Sequence, residues 1–227
     1  VRPEELGERL RLMVITDEAL ARPRSVAEVV ERALAAGSPA VQLRAKGATA
    51  GELFDTGRRL LALARAAGAL FIVNDRADVA LALGADGVHV GPEDVPVAAL
   101  RRFVPSGFLV GASTDDPEVA RRLVADGADY IGCGTIYPTA TKPDAGAVIG
   151  VAGLERVVRA VDVPVIAIGG ITPERSAEIA RATHAAGVAV VGAVMRADDV
   201  ENMVQRLLAP WGSPLSPADR APDRSRT

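Results

Sequence analysis

The chain has 227 residues, 49% of them hydrophobic, which is enough to bury one sizeable core. Its 26 basic and 29 acidic residues are mixed along the sequence, give a net charge of −3 and form no basic run, which argues against bulk nucleic-acid binding. A lone cysteine, Cys133, excludes an internal disulfide framework, no apolar run approaches a membrane span, and the acidic N-terminus lacks a signal-peptide core, so the expectation is a soluble, cytoplasmic, single domain.

The elements follow in order. Val1 to Arg11 is mostly charged and reads as a short helix laid across the floor of a barrel. Leu12 to Ile15 is a first strand, closing on Thr16 and Asp17. After a proline-containing loop, SVAEVVERALAAG carries apolar residues at helical spacing, with Ser25 as N-cap and Gly37 as terminator. AVQLR is strand 2, Thr49 to Ala67 a helix stopped by Gly68, and ALFIV strand 3, ending on Asn74 and Asp75. A short helix, Ala77 to Leu83, leads through Gly84 to strand 4, GVHV; the loop GPEDVP and a helix from Val97 to Phe103 follow. FLVGA is strand 5, Pro117 to Ala125 a helix, DYIGCG strand 6, and Thr135 to Ile149 a long Gly-, Pro- and Thr-rich loop of the kind that is more often functional than idle. Helix Val151 to Ala160, strand Val165 to Ile168, helix Pro173 to Thr183, strand Val188 to Val191 and helix Asp198 to Leu208 complete the series.

Eight βα units of roughly 20 to 30 residues, with strands that are continuous apolar runs, predict an α/β fold: a single (β/α)8 TIM barrel over residues 1–208. From Ala209 the chain is Pro, Ser, Arg and Asp, and residues 209–227 are expected to be a disordered tail.

The stretch VPVIAIGGITPER, Val163 to Arg175, runs from a strand through Gly169 and Gly170 into a helix N-terminus, where free backbone N–H groups can hold a phosphate. A tight strand-to-helix connection without a ligand would also need glycine. The repeat VAVVGAVM, Val188 to Met195, favours the phosphate, because barrel enzymes commonly share one between the loops after strands 7 and 8.

Polar residues gather at the C-terminal ends of the other strands, the face on which such barrels place their chemistry. Gln42, Arg44 and Lys46 alternate with Leu43 and Ala45, so on an extended strand the amide and two cations share a side and form a clamp for a polyanion. Asp75 and Asp94 follow adjacent strands, and two carboxylates beside phosphate-binding cations suggest a Mg²⁺ site completed by substrate oxygens and water. A salt-bridge network of Arg44 and Lys46 with these aspartates is the alternative. Ser113 and Thr114, with Thr139, Thr141 and Lys142, add hydroxyls and an ammonium around the same mouth. Two anion sites emerge, and two anionic substrates could meet there. His89 and His184 read as structural, and Cys133 as a packing residue in an apolar strand.

QLRAK, VNDRADVALALGADGVHVGPED, GAST, ADYIGCGTIYPTATKPDAG, AIGGI and GVAVVGAV, in this order, resemble the thiamine phosphate synthase family over about Leu12 to Leu208. The resemblance implies a transferase of thiamine biosynthesis that joins a pyrimidine diphosphate to a thiazole phosphate, the latter with or without a carboxylate, and releases pyrophosphate. It implies that Gln42, Leu43, Arg44, Ala45, Lys46 and Asn74 hold the pyrimidine diphosphate and that Asp75 and Asp94 bind Mg²⁺. Ser113 and Lys142 would act with Arg44 and Lys46 on the diphosphate; Thr139, Ala140 and Thr141 would meet the thiazole phosphate, as would Gly169, Gly170, Val191 and Gly192 through their backbone. Small molecules are the implied partners, with no nucleic acid or membrane, and a homo-oligomer remains open. Asp115, Thr135, Arg175 and Gly192 depart from the family's usual His, Pro, Asn and Ser, and Asp115 would repel anionic substrates unless it points away. Alternatives are a thiazole tautomerase of the same barrel, a catalytically silent thiazole-phosphate-binding barrel, and a sugar-phosphate epimerase. The tautomerase would need a histidine near Ser113 and Asp115.

Overall fold

The computed structural model describes residues 3–139 and 147–212. Eight parallel strands close into a barrel in chain order: β1 (Leu12–Ile15), β2 (Ala40–Leu43), β3 (Leu70–Asn74), β4 (Gly87–Val90), β5 (Leu109–Ser113), β6 (Tyr130–Cys133), β7 (Val165–Ile168) and β8 (Gly187–Val190), with β8 pairing back onto β1. The helices are α1 (Pro3–Arg9), α2 (Glu18–Ala21), α3 (Val26–Ala35), α4 (Ala50–Ala66), α5 (Ala77–Leu83), α6 (Val97–Leu100), α7 (Pro117–Ala125), α8 (Gly150–Val158), α9 (Pro173–Ala182), α10 (Gly192–Met195) and α11 (Val200–Leu208). The expected TIM barrel is the observed fold.

Side chains alternate across each strand and divide the core in two. Leu12, Val14, Val41, Leu43, Phe71 and Val73 face the helices in the outer layer. Met13, Ile15, Ala40, Leu70, Ile72, Leu109, Tyr130, Ile166 and Ala189 fill the barrel interior. Leu6 of α1 and Leu10 just after it join that inner group, so the N-terminal helix plugs the floor, as its position in the sequence suggested. Burying a leucine such as Leu10 contributes roughly 1.5–3 kcal/mol.

Local chemistry explains the boundaries. Ser25 and Thr49 each accept from the backbone N–H three residues on, while Glu28 and Glu52 reach back to the cap, forming two capping boxes. Gly84 adopts a left-handed φ of 67° at the end of α5. The structure differs from expectation at several boundaries. The loop after β1 contains α2, capped by the Asp17 side chain, and a second single turn, α10, follows β8. The helix begun at Val97 is regular only to Leu100. The proposed tail does not begin at Ala209: Ala209–Trp211 form a 3₁₀ turn, and the Trp211 indole donates to Ser176 Oγ at 2.9 Å, because an amphipathic indole has an apolar body to pack and one N–H to satisfy. Residues 213–227 of that tail lie outside the described residues.

Candidate active site

The inward parity that fills the barrel with Ala40, Ile72 and Leu109 brings Gln42, Asn74 and Ser113 to the top of the interior, on β2, β3 and β5. Gln42 is buried, with its amide 3.3 Å from Met13 Sδ. Arg44 lies one residue beyond the regular end of β2, so it and Lys46 belong to the β2–α4 loop and not to the strand. What holds Arg44 is Thr16, buried at the end of β1: its hydroxyl accepts from Arg44 N–H at 2.8 Å and donates to Arg44 C=O at 3.0 Å. The guanidinium approaches Asp17 at 4.0 Å. Clefts of about 630 Å³ and 220 Å³ flank this loop. Lys46 lines both; Arg44 faces the larger, and Asn74 and Asp75 face the smaller.

Asp75 and Asp94 come together although 19 positions separate them. Asp75 has φ 63°, a left-handed conformation that aspartate tolerates and that turns the chain as it leaves β3. Asp94 is carried back toward β4 by a turn in which its Oδ2 accepts from Gly91 N–H at 2.7 Å. Burial raises the Asp75 carboxyl to about 6, helped by a hydrogen bond and like charge from Asp94, while Arg44 and Lys46 pull it down. Two like-charged carboxylates held together beside two cations fit a hard divalent cation, which takes one or two carboxylates and leaves its other positions to phosphate oxygen and water. Among the described residues no group of three or more His, Cys, Asp or Glu could make a wholly protein-built cage.

The glycine turn expected to meet a phosphate follows β7, next to the end of β8. Ile168 and Ala189 are register partners, so the turn after β7 and the start of α10 emerge side by side. Gly169 and Gly170 have φ of 103° and 66°, and a Cβ on Gly170 would stand 2.6 Å from Pro138 C=O and 2.8 Å from Tyr137 C=O. Glycine is required there by backbone conformation and by close approach. The chain after β6 is laid on this turn by Ile136 N–H to Ile168 C=O at 3.0 Å and Tyr137 N–H to Gly169 C=O at 3.1 Å, and Thr139 follows two residues later. Val191 and Gly192 stand at the N-terminal end of α10. Ala140, Thr141 and Lys142 lie outside the described residues.

The departures find places. Asp115 is exposed. Arg175 donates to Gly170 C=O at 2.6 Å and lies 4.6 Å above the Tyr137 ring, bracing the glycine turn. Thr135 is buried, its carbonyl accepting from Ile149 N–H at 3.0 Å. Gly192 keeps a backbone N–H and adds no hydroxyl. His184 sits on the surface against Glu155. Burial pushes the Cys133 thiol up to about 12, which suits a packing residue. His89 is also buried, but it bonds Ser113, a link that strand periodicity does not reveal.

No helix among the described residues is long and apolar enough to cross a membrane. The family described as Thiamine monophosphate synthase matches residues 12–194. The thiamine-phosphate synthase of Chloroflexus aurantiacus is 47% identical over 199 residues, covering 88% of this chain and 91% of the relative. That of Roseiflexus castenholzii is 46% identical over 194 residues, covering 86% and 85%. The solved thiamine phosphate pyrophosphorylase of Pyrococcus furiosus superposes with a TM-score of 0.82 at 40% identity, over 91% of this chain and 97% of that one. The eight-stranded barrel and these likenesses agree: the chain belongs to the thiamine monophosphate synthase family.

Proposed function

We propose that the protein condenses 4-amino-2-methyl-5-hydroxymethylpyrimidine diphosphate with a thiazole phosphate, carboxylated or not, to give thiamine phosphate and pyrophosphate. The observation that carries this reading is the pairing, at one barrel mouth, of a cation and carboxylate sector on β2 to β4 with a glycine-backbone sector on β7 and β8. The first suits a diphosphate that must leave, and the second a phosphate that stays attached.

In this reading Gln42 and Asn74 orient the pyrimidine, with the backbone of Leu43 and Ala45 beside it. Arg44, Lys46, Ser113 and Lys142 receive the diphosphate. Thr139, Ala140, Thr141 and the backbone at Gly169, Gly170, Val191 and Gly192 hold the thiazole phosphate. Asp75 and Asp94 would hold Mg²⁺, which when bound supplies positive charge to the leaving pyrophosphate. The bond from the exocyclic methylene carbon to the diphosphate oxygen breaks, and the electron pair leaves with pyrophosphate. The cationic side chains stabilise that charge as it develops. The thiazole nitrogen then supplies the pair for the new C–N bond and becomes quaternary, so this step moves no proton. A side-chain nucleophile is therefore unnecessary, and the buried Cys133 and surface His184 are not asked to act.

The deciding experiment incubates purified protein with both substrates and Mg²⁺ and follows thiamine phosphate by chromatography. Metal-dependent product is expected. A folded protein that binds thiazole phosphate and yields no product refutes the reading.

A further inference from the structure

Three inward residues of neighbouring strands lie in one register row: His89 of β4 opposite Gly111 of β5, and Gly111 opposite Tyr130 of β6. Tyr130 is fully buried, and a Cβ on Gly111 would overlap its ring, so the glycine opens the space through which the phenol crosses β5. Its hydroxyl reaches His89 Nδ1 at 3.1 Å, with ring centroids 5.4 Å apart. One layer higher, Gly132 stands opposite Ser113, and a Cβ there would lie 2.9 Å from His89 Cε1. The imidazole uses that space to bring Nε2 within 2.8 Å of Ser113 Oγ. Two glycines thus make room for a continuous chain, Tyr130 to His89 to Ser113, that ends at the barrel mouth.

Counting protons gives the chain a direction. The phenol is buried, which raises its pKa and keeps its proton, and among the described residues its one hydrogen-bonding partner is His89 Nδ1. A buried O–H needs an acceptor, so Nδ1 accepts. A ring nitrogen that accepts carries no proton, so the imidazole's one N–H is on Nε2. Nε2–H then donates to Ser113 Oγ, occupying a lone pair and leaving the serine proton to point elsewhere. In the opposite tautomer Ser113 would donate to Nε2 and offer only lone pairs to an incoming polyanion.

We propose that Tyr130 and His89 are positioning residues that select this tautomer and so fix Ser113 as a hydrogen-bond donor to the diphosphate. The inference rests on the functional reading above and names a polarity that the reading leaves open.

The chain has two histidines, so ¹⁵N spectra of uniformly labelled full-length protein at neutral pH resolve His89 from His184. The expected wild-type pattern for His89 is a neutral ring protonated on Nε2, and Tyr130→Phe should convert it to a mixture. A wild-type ring protonated on Nδ1 overturns the proposal. In turnover, Ser113→Ala should lower kcat/KM roughly 10- to 100-fold, the weight of a hydrogen bond to a charged group. Tyr130→Phe should lower it about fivefold, one ordinary hydrogen bond. In the Ser113→Ala background Tyr130→Phe should cost nothing more, because its effect passes through the serine; an equal cost in both backgrounds means a structural role and refutes the inference. His89→Gln, whose amide N–H reaches the Nε2 position, should retain more affinity for Mg²⁺ pyrophosphate than His89→Leu at matched thermal stability, and equal losses refute it. If the wild type makes no product, the functional reading fails separately, and the imidazole spectrum with pyrophosphate binding still decides the direction of the chain.

Discussion

Replacing Asp75 with Asn is expected to stabilise the metal-free protein and to abolish its turnover. Asp75 and Asp94 are like charges held together, and burial lifts the Asp75 carboxyl from 3.8 to about 6. An acid whose folded pKa is raised binds more protons folded than unfolded between those values, so stability falls as pH rises across that window. The penalty is absent below about 3.8 and complete above about 6. Taken at face value the displacement corresponds to roughly 3 kcal/mol, and solvent screening at a half-exposed site leaves about 1–1.5 kcal/mol. Asn carries no charge, can donate to Asp94, and tolerates the φ of 63° at least as well as Asp does. Urea unfolding of both proteins in chelator should therefore show Asp75→Asn the more stable at pH 8 and the difference vanishing by about pH 4. Mg²⁺ with pyrophosphate should reverse the order by stabilising only the wild type. A variant less stable than wild type at pH 8 would show that the aspartates do not repel one another, and retained Mg²⁺-dependent turnover would remove Asp75 from the metal site.

Acid should weaken the protein through His89: the ring is held at about 4 when folded against 6.5 in the free side chain, so the unfolded state takes up the proton first. Roughly 3 kcal/mol should be lost as pH falls from 6.5 to 4, read as the pH-dependent difference in urea midpoint from His89→Gln; parallel curves would contradict it. Gly170→Ala places a methyl against two carbonyls at φ 66° and should raise KM for thiazole phosphate at least about tenfold while sparing KM for the pyrimidine diphosphate. Equal effects on both would mean that the glycine turn does not belong to one substrate. Ser176→Ala removes a buried hydroxyl that donates to Leu207 C=O at 2.9 Å and accepts from Trp211, and should cost about 2 kcal/mol with turnover unchanged. An unaltered melting temperature would show that the 3₁₀ turn adds nothing to stability.

Periodic features were legible in the chain, and features made across it were not. The Ala77–Leu83 helix and the Val165–Ile168 strand have the ends read from hydrophobic spacing and glycine, because the forces that end them act within a few residues. The helices α2 and α10 have four residues each, too few for a 3.6-residue period to show. QLRAK suggested one continuous strand face, but β2 ends at Leu43, and Arg44 is placed by Thr16, 28 positions earlier. The tail seemed to start at Ala209 because one tryptophan among prolines and charges has little weight in a composition, whereas its indole has a specific partner in Ser176. His89 read as structural from its place in an apolar strand. Its contact with Ser113 depends on ring size, on the space over Gly132, and on a register set by barrel closure.

The order of strands around the barrel gives these scattered residues a common logic. In the proposed reading the diphosphate is held chiefly at β2, β3 and β4, with Ser113 of β5 and Lys142 reaching it, and the retained phosphate at β7 and β8, so the inward faces of β5 and β6 lie along the arc between them. That arc contributes no charged side chain to the interior: its inward positions are Leu109, Gly111 and Ser113 on β5, and Tyr130 and Gly132 on β6. A carboxylate at these inward strand positions would repel both anions. A neutral hydroxyl whose proton is directed by a buried imidazole can instead favour negative charge on the departing oxygens without competing for the other phosphate. The space that Cβ atoms at Gly111 and Gly132 would fill is taken by the Tyr130 and His89 rings. In the proposed reaction the uncharged pyrimidine and thiazole rings must meet between their anionic ends, and the neutral arc is the part of the mouth whose chemistry suits that meeting.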